Sequence, residues 1–283
     1  MAEVLQVKNL NKSYPHFTLK DVSFSLQEGK ITGFIGRNGA GKSTTLYSLL
    51  QFVHPDSGEI LFWGEKLPKE ERRIKQRIGF VSSGMSYYQR KKLKTITQIT
   101  KAFYDQWDEE AYKHYMARFG LKEDKTPMQL SNGMKIKYAL TLALSHHTEL
   151  FILDEPTSGL DPASREDLLD IFMALCDQGK TILFSTHIIS DLDKCADNII
   201  YIKEGQIIAE SDIKSFVQSY RIAEYGEGQL TEEQRNFLIG ERRQKKGLSA
   251  LVKKKDAEHL QEFCHTADLE AIMVHLEKEE KYD

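Results

Sequence analysis

Gly36-Arg37-Asn38-Gly39-Ala40-Gly41-Lys42-Ser43 matches the spacing G-x-x-x-x-G-K-[ST], a pattern suited to gripping phosphate. Phosphate oxygens need several donors converging on a small volume. Glycines without a Cβ let a loop turn its N–H groups inward, and a helix that follows adds its positive end. Gly36, Asn38, Gly39, Gly41, Lys42, Ser43 and Thr44 are therefore the candidate nucleotide contacts, with Lys42 expected to reach the β- and γ-phosphates and the Ser43 hydroxyl to ligate Mg²⁺. The plain alternative is a glycine-rich turn with an exposed lysine. The apolar strand before the loop and the helical run through Leu46, Leu49, Leu50 and Val53 after it favour the cradle.

A second group of reactive side chains ends the run Leu150-Phe151-Ile152-Leu153-Asp154-Glu155. Two carboxylates at the carboxyl end of a buried strand sit where open α/β sheets form their ligand crevices. Asp154 would contact Mg²⁺ through its hydration shell, and Glu155 would polarise a water for attack on the γ-phosphate. Ser185-Thr186-His187 ends another apolar strand at the same edge, so His187 is a candidate for orienting that water. Carboxylates lying in solvent past a strand end, and a structural histidine, are the alternatives. His146-His147 and Cys264-His265 lack a third ligand at useful spacing and are not expected to bind metal.

These groups need a scaffold, and the pattern is one of apolar runs alternating with helix-period segments, as in a parallel sheet covered by helices. Strands are expected at 30–35, 78–82, 150–154 and 181–185. The middle of two of them is apolar at successive positions, which implies burial on both faces. A hairpin is expected from 198–201 and 206–209 around Lys203-Glu204-Gly205. Between 92 and 147 the pattern turns helical, with Tyr112, Tyr115, Met116 and Phe119 on one face, read as core packing. After Ser211 the composition becomes more charged. Leu269, Ile272, Met273 and Leu276 mark a last amphipathic helix that packs within a small C-terminal domain.

At 283 residues and 40% hydrophobic, the chain can bury a sizeable core. Its 39 basic and 42 acidic residues leave a net charge of −3, which argues against a nucleic-acid partner. Three scattered cysteines fit a reducing compartment. Apolar runs are too short to span a bilayer, so membrane contact is expected only through another polypeptide. The basic C-terminal residues, Lys253, Lys254 and Lys255 among them, read as a solvated surface rather than a lipid or partner contact.

Taken in order, these motifs resemble the nucleotide-binding subunit of ABC transporters over about residues 3–215. The resemblance adds Leu130-Ser131-Asn132-Gly133-Met134 as the signature sequence, with Ser131 and Gly133 as contacts to ATP. It also adds Ser158-Gly159-Leu160-Asp161 as the D-loop, with Asp161 as a site residue, and Tyr14 as the aromatic that stacks on adenine. Three residues depart from the family pattern. In the signature Asn132 stands in place of a glycine and Met134 in place of a glutamine, and Ser83 stands where the family places another glutamine, leaving Ser83 as a candidate metal contact through a bridging water.

The resemblance implies an α/β P-loop ATPase fold. It comprises a central, mainly parallel sheet, an antiparallel β subdomain, a helical subdomain at about 92–147 and a small α+β domain at 216–283 after an ATPase domain at 1–215. It further implies ATP and Mg²⁺ as cofactors and a second ATPase subunit, identical or related, packed head to tail. A multi-span permease would hold the chain at the cytoplasmic face of a bacterial membrane. Among ABC ATPases the chain looks most like those of bacterial exporters of peptides, lipids or drugs, such as the phenol-soluble-modulin and bacitracin exporters. The alternatives are a regulatory or weakly hydrolysing cassette, and a soluble relative acting on ribosomes or DNA.

Overall fold

The computed structural model describes residues 2–67, 69–82 and 88–278. The apolar runs Leu150–Asp154 and Thr181–Thr186 lie side by side at the centre of a six-stranded sheet, and every residue of both is buried. Across that sheet the order is Gln206–Asp212, Asn198–Lys203, Ile31–Ile35, Thr181–Thr186, Leu150–Asp154, Ile78–Ser82. The four pairings from Asn198–Lys203 to Ile78–Ser82 are parallel, in registers such as Phe34↔Ser185, Asp154↔Ser185 and Ser82↔Asp154. The carboxyl ends of the strands therefore come level, and the reactive residues emerge from one edge.

A second sheet was only generically expected. Phe17–Gln27, Glu3–Tyr14, Ser57–Phe62 and Glu65–Lys66 form an antiparallel sheet in that order. Its long strands hide their alternation because the register slips three times between Glu3 and Lys12, with Asn9 and Asp21 at φ 46° and 49°. One core joins the two sheets, drawing Leu10, Leu19 and Phe62 from the antiparallel sheet, Phe34, Ile152 and Leu183 from the parallel one, and Leu46 and Leu49 from the helix Lys42–Leu49. That helix ends at Leu49, before Val53 of the expected run.

The turn at Glu204 and Gly205, at φ 48° and 76°, is the two-residue type that right-twisted hairpins require. Gly205 also donates its N–H to Ala40 O at 3.0 Å and accepts from Lys20 N at 2.9 Å. A Cβ there would collide with the Thr18 carbonyl oxygen. One turn thus ties the phosphate loop to the antiparallel sheet.

The helices Leu93–Lys101, Glu109–Arg118 and Asn132–Leu144 carry their own core of Leu93, Ile96, Tyr112, Met116, Tyr138 and Leu142, with Phe119 against it and Tyr115 half-buried. The Thr97 hydroxyl sits 3.1 Å from Tyr112 Oη and 2.9 Å from Tyr138 Oη, which satisfies both buried phenols. Burial is the main cause that pushes the Tyr112 phenol up to about 12.

The chain falls into two compact units with the boundary between Glu210 and Ser211. In the second, Leu238–Arg243, Leu248–Lys253, Tyr220–Tyr225 and Cys264–Thr266 make a four-stranded antiparallel sheet. The helix Leu269–Leu276, capped by Asp268 accepting from Ala271 N at 2.7 Å, buries Leu269, Ile272, Met273 and Leu276. His275 on that helix reaches Gly240 O with Nδ1 at 2.6 Å and lies 3.3 Å from Ser249 Oγ through Nε2. A carbonyl only accepts, so Nδ1 carries the hydrogen, and burial lowers the imidazole pKa and keeps the ring neutral.

Candidate active site

The phosphate loop leaves the strand Ile31–Ile35 and runs into the helix Lys42–Leu49, with Asn38 and Gly39 exposed. Two glycines are sterically required. At Gly36 a Cβ would strike Ile202 O, and Gly41, at φ 111°, would press one into Leu19 and Phe17 at 2.7 and 2.8 Å. Lys42 is 5% exposed, and its ammonium donates to Gly36 O at 2.7 Å and Arg37 O at 3.2 Å and pairs with Glu155 Oε1 at 3.1 Å. Ser43 donates to Asp154 Oδ1 at 3.0 Å, while Thr44 is half-buried in the first turn, with its carbonyl accepting from Ser48 Oγ.

Asp154 is a buried carboxylate held by hydroxyls: Ser43 and Ser185 both donate to its Oδ1, at 3.0 and 2.8 Å. Ser185 also accepts from Glu155 N at 2.9 Å, so one serine on the neighbouring strand sets both acidic residues. Glu155 sits at φ 50°, uncommon for a residue with a Cβ and sustained only where surroundings over-determine it. Its Oε2 is 2.8 Å from His187 Nδ1. The carboxylate accepts, so Nδ1 donates and Nε2 is left for another partner. Lys42, Ser43, Asp154, Glu155 and His187 therefore form one connected cluster.

Tyr14 ends the strand Glu3–Tyr14, 43% exposed, in a hairpin whose other arm starts at Phe17, the residue that packs on Gly41. The aromatic candidate and the phosphate loop therefore adjoin. Ser131, Gly133 and Asp161 belong elsewhere. Ser131 caps the helix Asn132–Leu144 by accepting from Met134 N at 3.2 Å, and Asp161 caps Pro162–Asp177 by accepting from Ser164 N at 3.0 Å; the Ser164 side chain first, and its backbone N–H second, hold the Asp161 carboxyl below the usual range. Gly133 lies against Ser164 and Leu160, and Gly159 near Asn132, so these segments share one surface. Among the described residues no hydrogen bond joins Ser131, Gly133 or Asp161 to Lys42, Asp154 or Glu155. Ser83 lies outside the described residues.

Sequence reading passed over Ser185 and Tyr47. Ser185 read as part of an apolar strand, and its pairing in register with Asp154 becomes visible only once the strands are assembled. Tyr47 lies 3.5 Å from Ser82 Oγ, its phenol raised first by burial and further by the Asp154 charge. His146 is buried, stacks on Tyr104 at 3.6 Å and meets Gln76 O at 3.1 Å, and burial pushes its pKa down to about 4. None of the helices among the described residues is long and apolar enough to cross a membrane.

Known proteins resemble this chain in sequence and fold. The profile of the family described as ABC transporter matches residues 19–158, which include the phosphate loop and both carboxylates. The lantibiotic transport ATP-binding protein SrtF of Streptococcus pyogenes is 34% identical, covering 74% of this chain and 91% of that protein. The bacitracin transport ATP-binding protein BcrA of Bacillus licheniformis is 29% identical, covering 85% of this chain and 79% of its own length. A solved structure of the ATP-binding subunit of an ABC transporter superposes with a TM-score of 0.68 at 27% identity, covering 75% of this chain and 91% of that one. With a buried lysine, two carboxylates and a histidine assembled at the mouth of a parallel sheet, the chain belongs to the ABC transporter family as an ATP-binding chain that hydrolyses ATP.

Proposed function

We propose that the chain binds ATP with Mg²⁺ at the phosphate loop and closes head to tail with a second ATPase subunit over the nucleotide. It would thereby drive a multi-span permease that exports peptides, lipids or drugs from the cytoplasmic face of a bacterial membrane. The observation that carries the reading is the connected cluster of Lys42, Ser43, Asp154, Glu155 and His187. The export assignment rests on relatives named for lantibiotic and bacitracin transport.

The donor set suits Mg²⁺, because Ser43 Oγ and the buried Asp154 carboxylate offer hard oxygens within 3.0 Å of each other. Ser43 would ligate the ion and Asp154 would hold one of its waters. Bound there, Mg²⁺ would offset the charge that develops on the transferred phosphoryl group. Lys42 places its ammonium beside the β- and γ-phosphates. Glu155 takes a proton from the attacking water as its oxygen bonds to the γ-phosphorus and the bond to the β-bridging oxygen breaks, yielding ADP and inorganic phosphate. His187 orients that water and Glu155 through its two ring nitrogens.

Closure by a second subunit is supported by the signature segment. The Ser131 oxygen caps its own helix by accepting, which leaves the hydroxyl hydrogen to donate outward. At Gly133 a Cβ would meet only ordinary contacts, the nearest Ser164 Cβ at 3.6 Å, so packing within the chain does not demand glycine there. Close approach of a phosphate from a partner does. Asp161, on the adjoining segment, would meet the same partner, and Tyr14 would stack on adenine.

For the permease, an apolar cleft of about 240 Å³ lined by Leu50, Phe52, Phe80, Tyr104 and Leu142 offers a seat for a short amphipathic segment. Phe52 stands 56% exposed at that cleft.

Glu155→Gln tests the reading. Turnover should fall by at least about 100-fold while ATP now holds a stable dimer, followed by light scattering. Unchanged turnover would remove Glu155 from its role, and an ATP-saturated monomer would remove the head-to-tail closure.

A further inference from the structure

Outside the cluster that touches phosphate, one carboxylate gathers the segments that hold it. Asp191, on the helix Ile189–Cys195, is fully buried. A buried charge is tolerated only when paired and hydrogen-bonded, and Asp191 has three side-chain partners. Oδ2 accepts from Thr157 Oγ1 at 2.6 Å and from Thr186 Oγ1 at 3.5 Å, and Oδ1 accepts from Arg165 Nε. Arg165 is gripped a second time through Nη2, which donates to Ser190 Oγ at 2.6 Å.

The partners come from the segment that follows Glu155 and from the strand end that carries His187. Thr157 lies two residues after Glu155, on the segment that continues to Asp161. Thr186 immediately precedes His187, and its hydroxyl accepts from Ile188 N at 2.9 Å, so it shapes the turn that carries the imidazole. Arg165 lies one turn into the helix capped by Asp161, beside Ser164, which is the neighbour a side chain at Gly133 would meet. Glu155 itself is held in a strained backbone conformation from one side by Ser185. The Thr157–Asp191 bond anchors the chain on the other side.

We infer that Asp191 and Arg165 are a positioning pair for hydrolysis, locking the distance between Glu155 and His187 to the placement of the segment 157–165. This rests on the proposed roles of Glu155 and His187. Neither member touches ATP. Movement of the 157–165 segment, as a second subunit presses on Asp161 and Gly133, would reach Glu155 through Thr157 and His187 through Thr186. Catalytic geometry is then completed only when the D-loop segment is seated. Small misplacements of a reacting group cost far more in turnover than in binding, so the pair should appear in kcat and not in KM.

The test uses the full chain in the complex in which it purifies from its native cells, with wild type, Glu155→Gln, Asp191→Asn, Arg165→Lys and the Asp191→Asn/Arg165→Met double variant measured together. Asp191→Asn keeps the size and one acceptor but removes the charge opposite Arg165. Its kcat should drop at least about tenfold, with KM for ATP within about twofold of wild type. The double variant removes both charges, so its melting temperature should return toward wild type while kcat stays low. A merely structural pair would show kcat recovering with stability, and that result overturns the inference.

Arg165→Lys preserves a cation beside Asp191 and breaks the fork to Ser190. It should lose about threefold in kcat, and if Asp191→Asn fails to fold, full activity of Arg165→Lys overturns the inference instead. Glu155→Gln separates the two levels. Activity in that variant defeats the assignment of Glu155, whereas a dead Glu155→Gln beside a fully active Asp191→Asn defeats only the positioning role.

Discussion

The two units of this chain handle buried polarity in opposite ways. In the first, the buried set includes a lysine and two aspartates, Lys42, Asp154 and Asp191, each at or beside the carboxyl end of the parallel sheet. In the second, the buried polar side chains among the described residues are Ser249 and a neutral His275, joined by Gln244 Nε2 donating to Ser249 Oγ at 2.9 Å, while Lys253, Lys254 and Lys255 stay exposed. Burying charge is costly and recovers little stability, so it persists where something other than stability is gained. Burying a neutral, satisfied network completes a small core. The contrast separates a unit built for chemistry from one whose interior is explained by packing alone.

The harshest challenge to that contrast is Lys42→Ala. If the buried ammonium serves phosphate, affinity for ATP should fall by about 100-fold or more, measured by isothermal titration. Thermal stability should change little, since the lysine's partners are two carbonyls and Glu155. Normal affinity would make the buried charge structural after all.

Next is the pH response. His146 titrates near 4 in the folded chain against 6.5 ordinarily. Above pH 6.5 its contribution is complete. As pH falls from 6.5 toward 4 the unfolded chain takes up the proton first, so up to about 3 kcal/mol is lost. His146→Phe, which keeps the stack on Tyr104, should flatten urea-melt stability over that window. An unchanged slope would assign the acid sensitivity to other groups.

Smaller still, Ser249→Ala should cost about 1–2 kcal/mol by stranding the Gln244 and His275 groups, with ATP turnover untouched. Altered turnover would show that the second unit's network is not packing alone. Last, Lys254→Ala and Lys255→Ala should each shift stability by no more than about 0.5 kcal/mol, with turnover equal to wild type. A change in turnover would give those lysines the functional charge that the contrast denies them.

Much of the catalytic scaffold was legible because its signals are local. The phosphate loop is contiguous, and the strands expected at 150–154 and 181–185 announce themselves as apolar runs whose polar ends lead into Asp154, Glu155 and His187. The antiparallel sheet was legible only through the family resemblance, since bulges at Asn9 and beyond Leu10 break the two-residue period on which strand reading depends. Asp191 was invisible for a different reason. In Ile188-Ile189-Ser190-Asp191-Leu192-Asp193 it looks like a residue of a solvated face, and its three side-chain partners are 5 to 34 residues away. Likewise nothing near His146 in sequence indicates Tyr104, the ring it stacks on. Long-range pairing is the information a single strand of letters withholds.

The turn at Gly205 has a temporal consequence. Ribosomes deliver the chain from its amino end, so the glycine-rich loop leaves the exit tunnel long before the turn whose N–H caps Ala40 O and whose carbonyl holds Lys20. Until that late segment arrives, the loop lacks a strut that ties it to the antiparallel sheet, and competence to grip a nucleotide should mature near the end of the first unit's synthesis rather than with the motif itself.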